Sequence, residues 1–394
     1  MDNNELINNK EELKKQKKSF DINKLMKMDI KDLGNLIPKK TIDFKKFTPE
    51  KKRKVVAFDM GSSFIKIVEG MYYKNQLTID KFIKMKTPSG AIIDGEIKQL
   101  DKLVLKISEV LKENDIKAKD GMCTNNSTLI INREILIPKV EDDEIDTVVR
   151  YEIQQYLPIN LDDYILQMTI LDEENIDGTE KYNVRVIAYP DKIAKGYYSL
   201  LKQLNLKPYV LDVNYNAVNK FINYASVGNE YEYNENDSVA FIDMGADFIN
   251  VNIYRNRKLD FTRIIKAGGN DINNYFRDIE GIKFEESEMI KKNSINLEED
   301  DINSIAVRNI ADEWIDKIEK IIQFYNNKDR GNKVEKIFIF GGSAKLRGFE
   351  SYMNERLGIR TARLREISTM TFNSNDNDRP VDDFINAIGC VIRL

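Results

Sequence analysis

Apolar positions along the chain fall in short runs separated by acids and glycine turns, and their spacing divides it into strands and helices. From Val55 it reads "VVAFDMGSSFIKIVEG", two apolar runs joined by "DMGSS", which predicts a β-hairpin. From Val239 it reads "VAFIDMGADFINVNIYRNRKLDFTRIIKAGGNDI", the same pattern again. Counting ten positions from Asp59 and from Asp243, five residues are identical, which predicts an internal duplication rather than a chance turn. A third strand follows each hairpin, in "QLTIDKFIKMKT" and in "LDFTRIIKAGG".

Between and after these repeats the period changes. "EIKQLDKLVLKISEVLKEN" and "KIAKGYYSLLKQLNL" carry the spacing of amphipathic helices, and "EDDEIDTVVRYEIQQYL" opens with the acids a helix N-terminus favours and stops before Pro158. "STLIINREILIPKV", "DYILQMTIL", "KYNVRVIAYP" and "YVLDV" read as strands. Val307, Ile310, Ala311, Trp314, Ile315, Ile318 and Ile322 share one helical face, a core stripe. "KVEKIFIFGGSAKLRGFESYMNERLG" reads as strand, Gly-Gly-Ser turn and helix, and "DDFINAIGCVIRL" as an apolar, core-packing helix.

At 394 residues the chain is too long for one typical core, so two or more lobes are expected. With 61 basic and 65 acidic residues, a surface devoted to nucleic acid is excluded. The absence of histidine removes Ser-His-Asp triads and His metal sites. Cys123 and Cys390 are too few and too far apart for a zinc cluster or disulfide framework, and suggest buried thiols in a reducing compartment. No apolar run approaches the roughly 20 residues that span a bilayer. "MDNNELINNKEELKKQKK" has no apolar core for a secretory signal, so a cytoplasmic protein is expected. Residues 1–53 hold 15 basic against 9 acidic residues and are expected to be a flexible basic extension, with weak contact to anionic lipid headgroups left open.

Glycines at strand ends let backbone N–H groups approach a bulky anion. Gly61, Ser62, Ser63 and their counterparts Gly245, Ala246 and Asp247 are therefore expected to clamp a polyphosphate from two sides. Lys66 would add charge, and Gly268 and Gly269 of "KAGGND" a further close approach. Asp59 and Asp243 would lie near Mg²⁺, through its waters. Gly341, Gly342 and Ser343 of "FGGS", following a buried strand and opening a helix, suit phosphate or ribose.

On these residues the chain resembles the actin-like ATPase superfamily, which includes sugar kinases, chaperone ATPases and the division protein FtsA. "AFDMGSSFIKI" and "AFIDMGADFINV" are similar to its two phosphate motifs and "IFIFGGSAKLRG" to its adenosine motif. Within it, "NREILIPKVEDDEIDTVVRYEIQQYLPINLDDYILQMTIL" resembles the PilM family of type IV pilus assembly proteins, through "IPKV" and "YLPI". The resemblance covers about 55 to 394.

It implies an α/β chain with a two-lobed actin-like (ribonuclease H-like) fold and an inserted α+β subdomain. The boundaries expected are 54–77 and 184–237 for the first lobe, 78–183 for the insertion, 238–380 for the second lobe, and 381–394 for a helix returning to the first. It also implies Mg-ATP between the lobes, with Glu288 and Lys291 of "ESEMIKK" near the ribose and base, although a surface ion pair explains that spacing equally well. Where many relatives carry Glu-Pro to orient the attacking water, this chain has Asn214 and Tyr215. Asn holds a water but accepts no proton, so hydrolysis is expected to be slow or negligible. The function implied is an ATP-binding scaffold at the inner face of the cell membrane. It would bind the cytoplasmic N-terminal peptide of PilN and connect it to the pilus motor ATPase and platform protein, with a homo-oligomer left open. An FtsA-like filament protein and a small-molecule kinase are the alternatives.

Overall fold

The run Val55–Phe58 alternates between two buried faces, and that alternation explains why no polar residue interrupts it. Val55 and Ala57 enter one apolar cluster, whereas Val56, Phe58 and Met60 enter another on the opposite side. In the computed structural model these residues form β1 (Lys54–Met60), the centre of a sheet continued by β2 (Phe64–Tyr73) and β3 (Gln76–Lys86). The structure describes residues 52–157, 159–224, 237–328, 331, 333–364, 371–372 and 381–393. The basic extension therefore lies outside the described residues except for its last two positions, as does Pro158 of "YLPI".

After β3 come a small hairpin, β4 (Ile92–Ile93) and β5 (Glu96–Ile97), helix α1 (Leu100–Glu113) and β6 (Asp120–Asn125). β7 (Ile131–Pro138), α2 (Ile145–Tyr156), β8 (Tyr164–Ile176) and β9 (Thr179–Pro190) follow. Then come α3 (Asp191–Gln203), β10 (Lys207–Val213) and α4 (Asn214–Tyr224). The second half holds β11 (Ser238–Met244), β12 (Phe248–Arg255), β13 (Lys258–Lys266), α5 (Gly269–Glu280), α6 (Phe284–Asn293) and α7 (Ile302–Lys328). It continues with β14 (Val334–Phe340), α8 (Phe349–Leu357), β15 (Arg360–Arg363), β16 (Thr371–Phe372) and α9 (Val381–Val391). Val140–Thr147 falls outside the compact body that the other described residues form.

The duplication seen in the sequence extends to topology. One sheet has the order β10-β6-β1-β2-β3-β16 and the other β13-β12-β11-β14-β15. In each, the repeat strand pairs antiparallel with its hairpin partner and parallel with a later strand, β6 or β14. Even the second turns agree: Lys74 and Asn75 in one copy, Asn256 and Arg257 in the other, all have positive φ. Two left-handed residues in a two-residue loop match the right-handed twist of the flanking strands.

The core is arranged accordingly. Val239 and Phe241 of β11 join Val55 and Ala57 of β1 in one cluster with Val218 and Phe221 of α4 and Phe384 and Ile388 of α9. Ala240, Ile242 and Met244 face the other way, onto Trp314, Ile318 and the rest of the α7 stripe. Gly389 of α9 lies so close to α4 that a Cβ there would run into the Ala217 carbonyl oxygen.

Three boundaries differ from the sequence reading. Residues 78–125 are not part of the insertion, because β3 pairs with β2 along its length and β6 pairs with β1 inside the six-stranded sheet. The separate sheet is β7-β9-β8, and β9 runs to Pro190, past the expected limit of 183. Thr371 and Phe372 fall within the span assigned to the second lobe but pair with Thr78 and Ile79 of the first sheet. Finally, "FGGS" does not open a long helix. Ser343–Lys345 makes a single 3₁₀ turn, and α8 begins only after Gly348, whose φ of 77° breaks the helical path.

Candidate functional site

Strand register builds the centre of the site. Pairing of β1 with β2 places Lys66 opposite Asp59, and Lys66 Nζ lies 2.9 Å from Asp59 Oδ2. In the second copy the same register places Asn250 opposite Asp243. Asn386, on α9, stands between the two aspartates. Its Nδ2 donates to Asp243 Oδ2 at 2.9 Å and to Asp59 Oδ2 at 3.4 Å, while its Oδ1 is buried with no partner among the described residues. Burial pushes the Asp243 carboxyl up to about 6, with the Asp59 charge adding to it and Lys66 opposing. Burial also acts against the Lys66 ammonium, but Asp59 and Asp243 outweigh it and hold its pKa above the ordinary lysine value.

The two glycine turns are superimposable in their constraints. A Cβ on Gly61 would lie 2.6 Å from the Phe64 carbonyl oxygen, and one on Gly245 would lie 2.7 Å from that of Phe248. Only glycine fits either position. The turns meet: Ser62 donates to Asp247, and Asn270 Nδ2 donates to Asp247 Oδ1 at 2.6 Å and to Ser63 Oγ at 3.2 Å. Gly268 packs under Ala246, where a Cβ would fall 2.5 Å from the carbonyl oxygen. The Gly269 amide donates to the Gly245 carbonyl at 3.0 Å, and Ser343 Oγ donates to that same oxygen at 2.9 Å. Gly341 has a φ of 90° and lets Asp243 Oδ1 approach to 2.6 Å of where its Cβ would be.

Glu288 and Lys291 are not a surface pair, since their side chains are only 17% and 12% exposed. Lys291 donates to Glu288, to the Gly269 carbonyl at 3.2 Å and to Asn273 Oδ1 at 3.2 Å. Burial pulls the Lys291 pKa below its ordinary value; for Glu288 burial acts upward, but Lys291 prevails and holds the carboxyl low. Asn214 begins α4 directly after β10 and accepts from Thr124 Oγ1 at 2.9 Å. Asp212, beside it, is buried near the end of β10, a strand whose earlier positions are partly exposed, and pairs with Lys220 at 2.7 Å.

A cavity of about 280 Å³ is lined by both turns and by Asp59, Lys66, Asn214, Asp243, Gly269, Glu288, Lys291, Gly342 and Ser343. Gly268 and Gly341 lie behind this lining and shape it. The sequence reading missed Asn386 and the lysines Lys84 and Lys345, which also line the cavity. Both lysines pair with Asp383 of α9, at 3.1 and 3.0 Å. The signal for α9 was its polar set, Asp382, Asp383 and Asn386, carried on an otherwise apolar helix and buried in the structure. Among the described residues no three acidic, His or Cys side chains converge as a metal cage. The two carboxylates at the cavity, Asp59 and Asp243, instead suit a hydrated Mg²⁺, which keeps most of its waters.

Residues 57–392 match the family model described as type IV pilus assembly protein PilM. The fold is similar to that of a solved PilM-PilN type IV pilus biogenesis complex, with a TM-score of 0.74 and 20% identity over 87% of this chain and 98% of that one. It is also similar to ethanolamine utilization protein EutJ from Carboxydothermus hydrogenoformans, with a TM-score of 0.52 and 12% identity over 87% of this chain and 90% of that one. The architecture is thus the two-lobed actin-like ATPase fold. Among the described residues no helix is long and apolar enough to cross a membrane.

Proposed function

Because the chain belongs to the family of type IV pilus assembly protein PilM, we propose that it is a nucleotide-binding scaffold of the pilus assembly machinery. It takes Mg-ATP in the cavity between the duplicated turns and turns it over slowly or not at all. The observation that carries this reading is the convergence of Gly61–Ser63 and Gly245–Asp247 on one cavity that also holds Asp59, Asp243 and Lys66. Backbone N–H groups at both turns would bind phosphate oxygens, and Lys66 would offset their charge. Asp59 and Asp243 would accept hydrogen bonds from metal-bound waters. Bound Mg²⁺ would supply charge neutralisation at the phosphates. Glu288 and Lys291 would face the ribose and base. Asn214 would hold a water in the cavity, and its amide leaves that water without a proton acceptor.

The complex in which the similar fold was solved contains PilN. For this chain the partner proposed is likewise the cytoplasmic N-terminal peptide of PilN, bound beside the β7-β9-β8 insertion. Through it the scaffold would connect the membrane platform to the motor ATPase, with nucleotide stabilising one lobe arrangement. Calorimetric titration of the full chain with Mg-ATP, and separately with that peptide, tests both parts. Nucleotide binding with phosphate release slower than the ~1 s⁻¹ at the low end of ordinary turnover is expected. A chain that binds no Mg-ATP sinks the nucleotide reading, and one that ignores the peptide with and without nucleotide sinks the partner reading.

A further inference from the structure

Glu288 and Lys291 stand on α6, in the second lobe, yet the hydrogen bonds around them lead to the first. The link is Asn273 of α5, a residue only 3% exposed. Its Nδ2 donates to Glu288 Oε1 at 2.8 Å and to Asn270 Oδ1 at 3.0 Å. Its Oδ1 accepts from Lys291 Nζ at 3.2 Å and from Ser287 Oγ at 3.1 Å. One buried amide thus fills all four of its hydrogen-bonding positions. Asn270 carries the chain onward, donating to Asp247 Oδ1 at 2.6 Å and to Ser63 Oγ at 3.2 Å, while Ser62 donates to Asp247 from the first lobe.

The direction of each bond in this chain is fixed by chemistry. The carboxylates at its ends, Glu288 and Asp247, only accept, and the Lys291 ammonium only donates. Asn270 must therefore turn its Nδ2 to Asp247 and its Oδ1 to Asn273. Asn273 in turn must present its Nδ2 to Glu288 and its Oδ1 to Lys291. Neither amide can flip without setting donor against donor or acceptor against acceptor. A buried network satisfied in this way has one arrangement, so a shift at one end is felt at the other. An apolar residue at 273 could fill the same space with no such requirement. A second contact joins α6 to the first lobe at the surface: Lys86 of β3 pairs with Glu285 and lies 5.0 Å from the centre of the Phe284 ring. Both charged side chains there are exposed, which makes that contact the weaker of the two.

We propose that this buried chain couples recognition of the nucleoside to closure of the lobes, with Asn273 and Asn270 as its positioning residues. The inference rests on the nucleotide reading, in which Glu288 and Lys291 face the ribose and base. The described bonds to Glu288 use Oε1, so a ribose hydroxyl can donate to Oε2 and fix the carboxylate without displacing Asn273. With Glu288 fixed, Asn273 and Asn270 are held, and Asn270 holds Asp247 against the Ser62–Ser63 turn. A polyphosphate bound at the turns alone leaves Glu288 free to move and the connection slack. The nucleoside, and not the phosphates by themselves, then sets how tightly the lobes close.

The test is amide hydrogen exchange of the full chain at saturating Mg-ATP and, separately, at saturating Mg-tripolyphosphate, read in peptides covering Gly61–Ser63. In the wild type, exchange there should be at least about fivefold slower with Mg-ATP, the low end of ordinary coupling between sites. Asn273 bonds neither turn directly. In Asn273→Ala the tripolyphosphate rate should therefore stay at the wild-type value while the ATP rate rises to meet it. Asn270→Ala, at a half-buried position that accommodates truncation, should lose the difference as well. Lys86→Ala should keep it. Equal protection by the two ligands in the wild type, with Mg-ATP bound, would overturn the proposal and leave the nucleotide reading standing. Loss of the difference in Lys86→Ala with its retention in Asn273→Ala would route the coupling over the surface pair and overturn it too. A wild type that binds no Mg-ATP removes both readings together.

Discussion

A carboxylate held at about 6 inside a folded protein is a measurable liability. Asp243 titrates near 3.8 when exposed, and burial is the main reason for the difference. A raised carboxyl pKa means that the folded chain binds the proton more tightly than the unfolded chain does. The stability it contributes is present below pH ~4, is lost as pH rises toward ~6, and stays lost above that, a difference of order 3 kcal/mol. Asp243→Asn removes that dependence. Thermal unfolding at a series of pH values should show the variant more stable than wild type above pH ~6 and equal to it near pH ~4. A difference that grows on acidification would reverse the assignment. At the glycines the constraint is steric. Gly61→Ala and Gly245→Ala each bring a methyl within 2.6–2.7 Å of a carbonyl oxygen of their own hairpin. Each should cost about 1–3 kcal/mol in denaturant unfolding, and the two should match, because the duplicated turns share one geometry. These residues were legible from the chain alone, since a repeated turn reports its own local requirements.

The decisive element is α9. Its sequence reads as a core helix, and its apolar residues are indeed buried against α4 and both sheets. The same helix carries Asn386 to the two aspartates and Asp383 to Lys84, on β3, and Lys345, which follows β14. Its approach to α4 depends on Gly389. Gly389→Ala would put a methyl into the Ala217 carbonyl, and a side chain forced into backbone cannot be relieved by rotation. An unfolding free energy lowered by about 3 kcal/mol is expected, together with weaker Mg-ATP binding, because moving α9 moves Asn386. Unaltered stability in that variant would mean that the two helices separate freely. The insertion shows the opposite limit of element-level reading. Its strands were recognisable, yet its edges were misplaced, because β3 looks like any other apolar run until its partner is known, and β6, "DGMCTN", carries no apolar run to announce a strand.

In the whole molecule, the duplicated turns touch through Ser62–Asp247 and through Asn270. These contacts are few, polar and part-buried, so they are worth little to global stability and more to lobe arrangement. Asp247→Ala should change the unfolding free energy by less than about 1 kcal/mol. It should also speed amide hydrogen exchange in peptides covering Gly61–Ser63 and Gly245–Asp247. Unchanged exchange would show that the lobes are held elsewhere. By itself the sequence determined the repeat, the all-apolar strands, the glycine positions and the carboxylates at their ends. Each of these is a local property, readable from spacing and residue type. Only the tertiary structure decided that Asn386 lies between those carboxylates and that Glu288 and Lys291 are buried. Each of these joins residues far apart in the chain, and such contacts come from how sheets and helices pack, which no local pattern encodes.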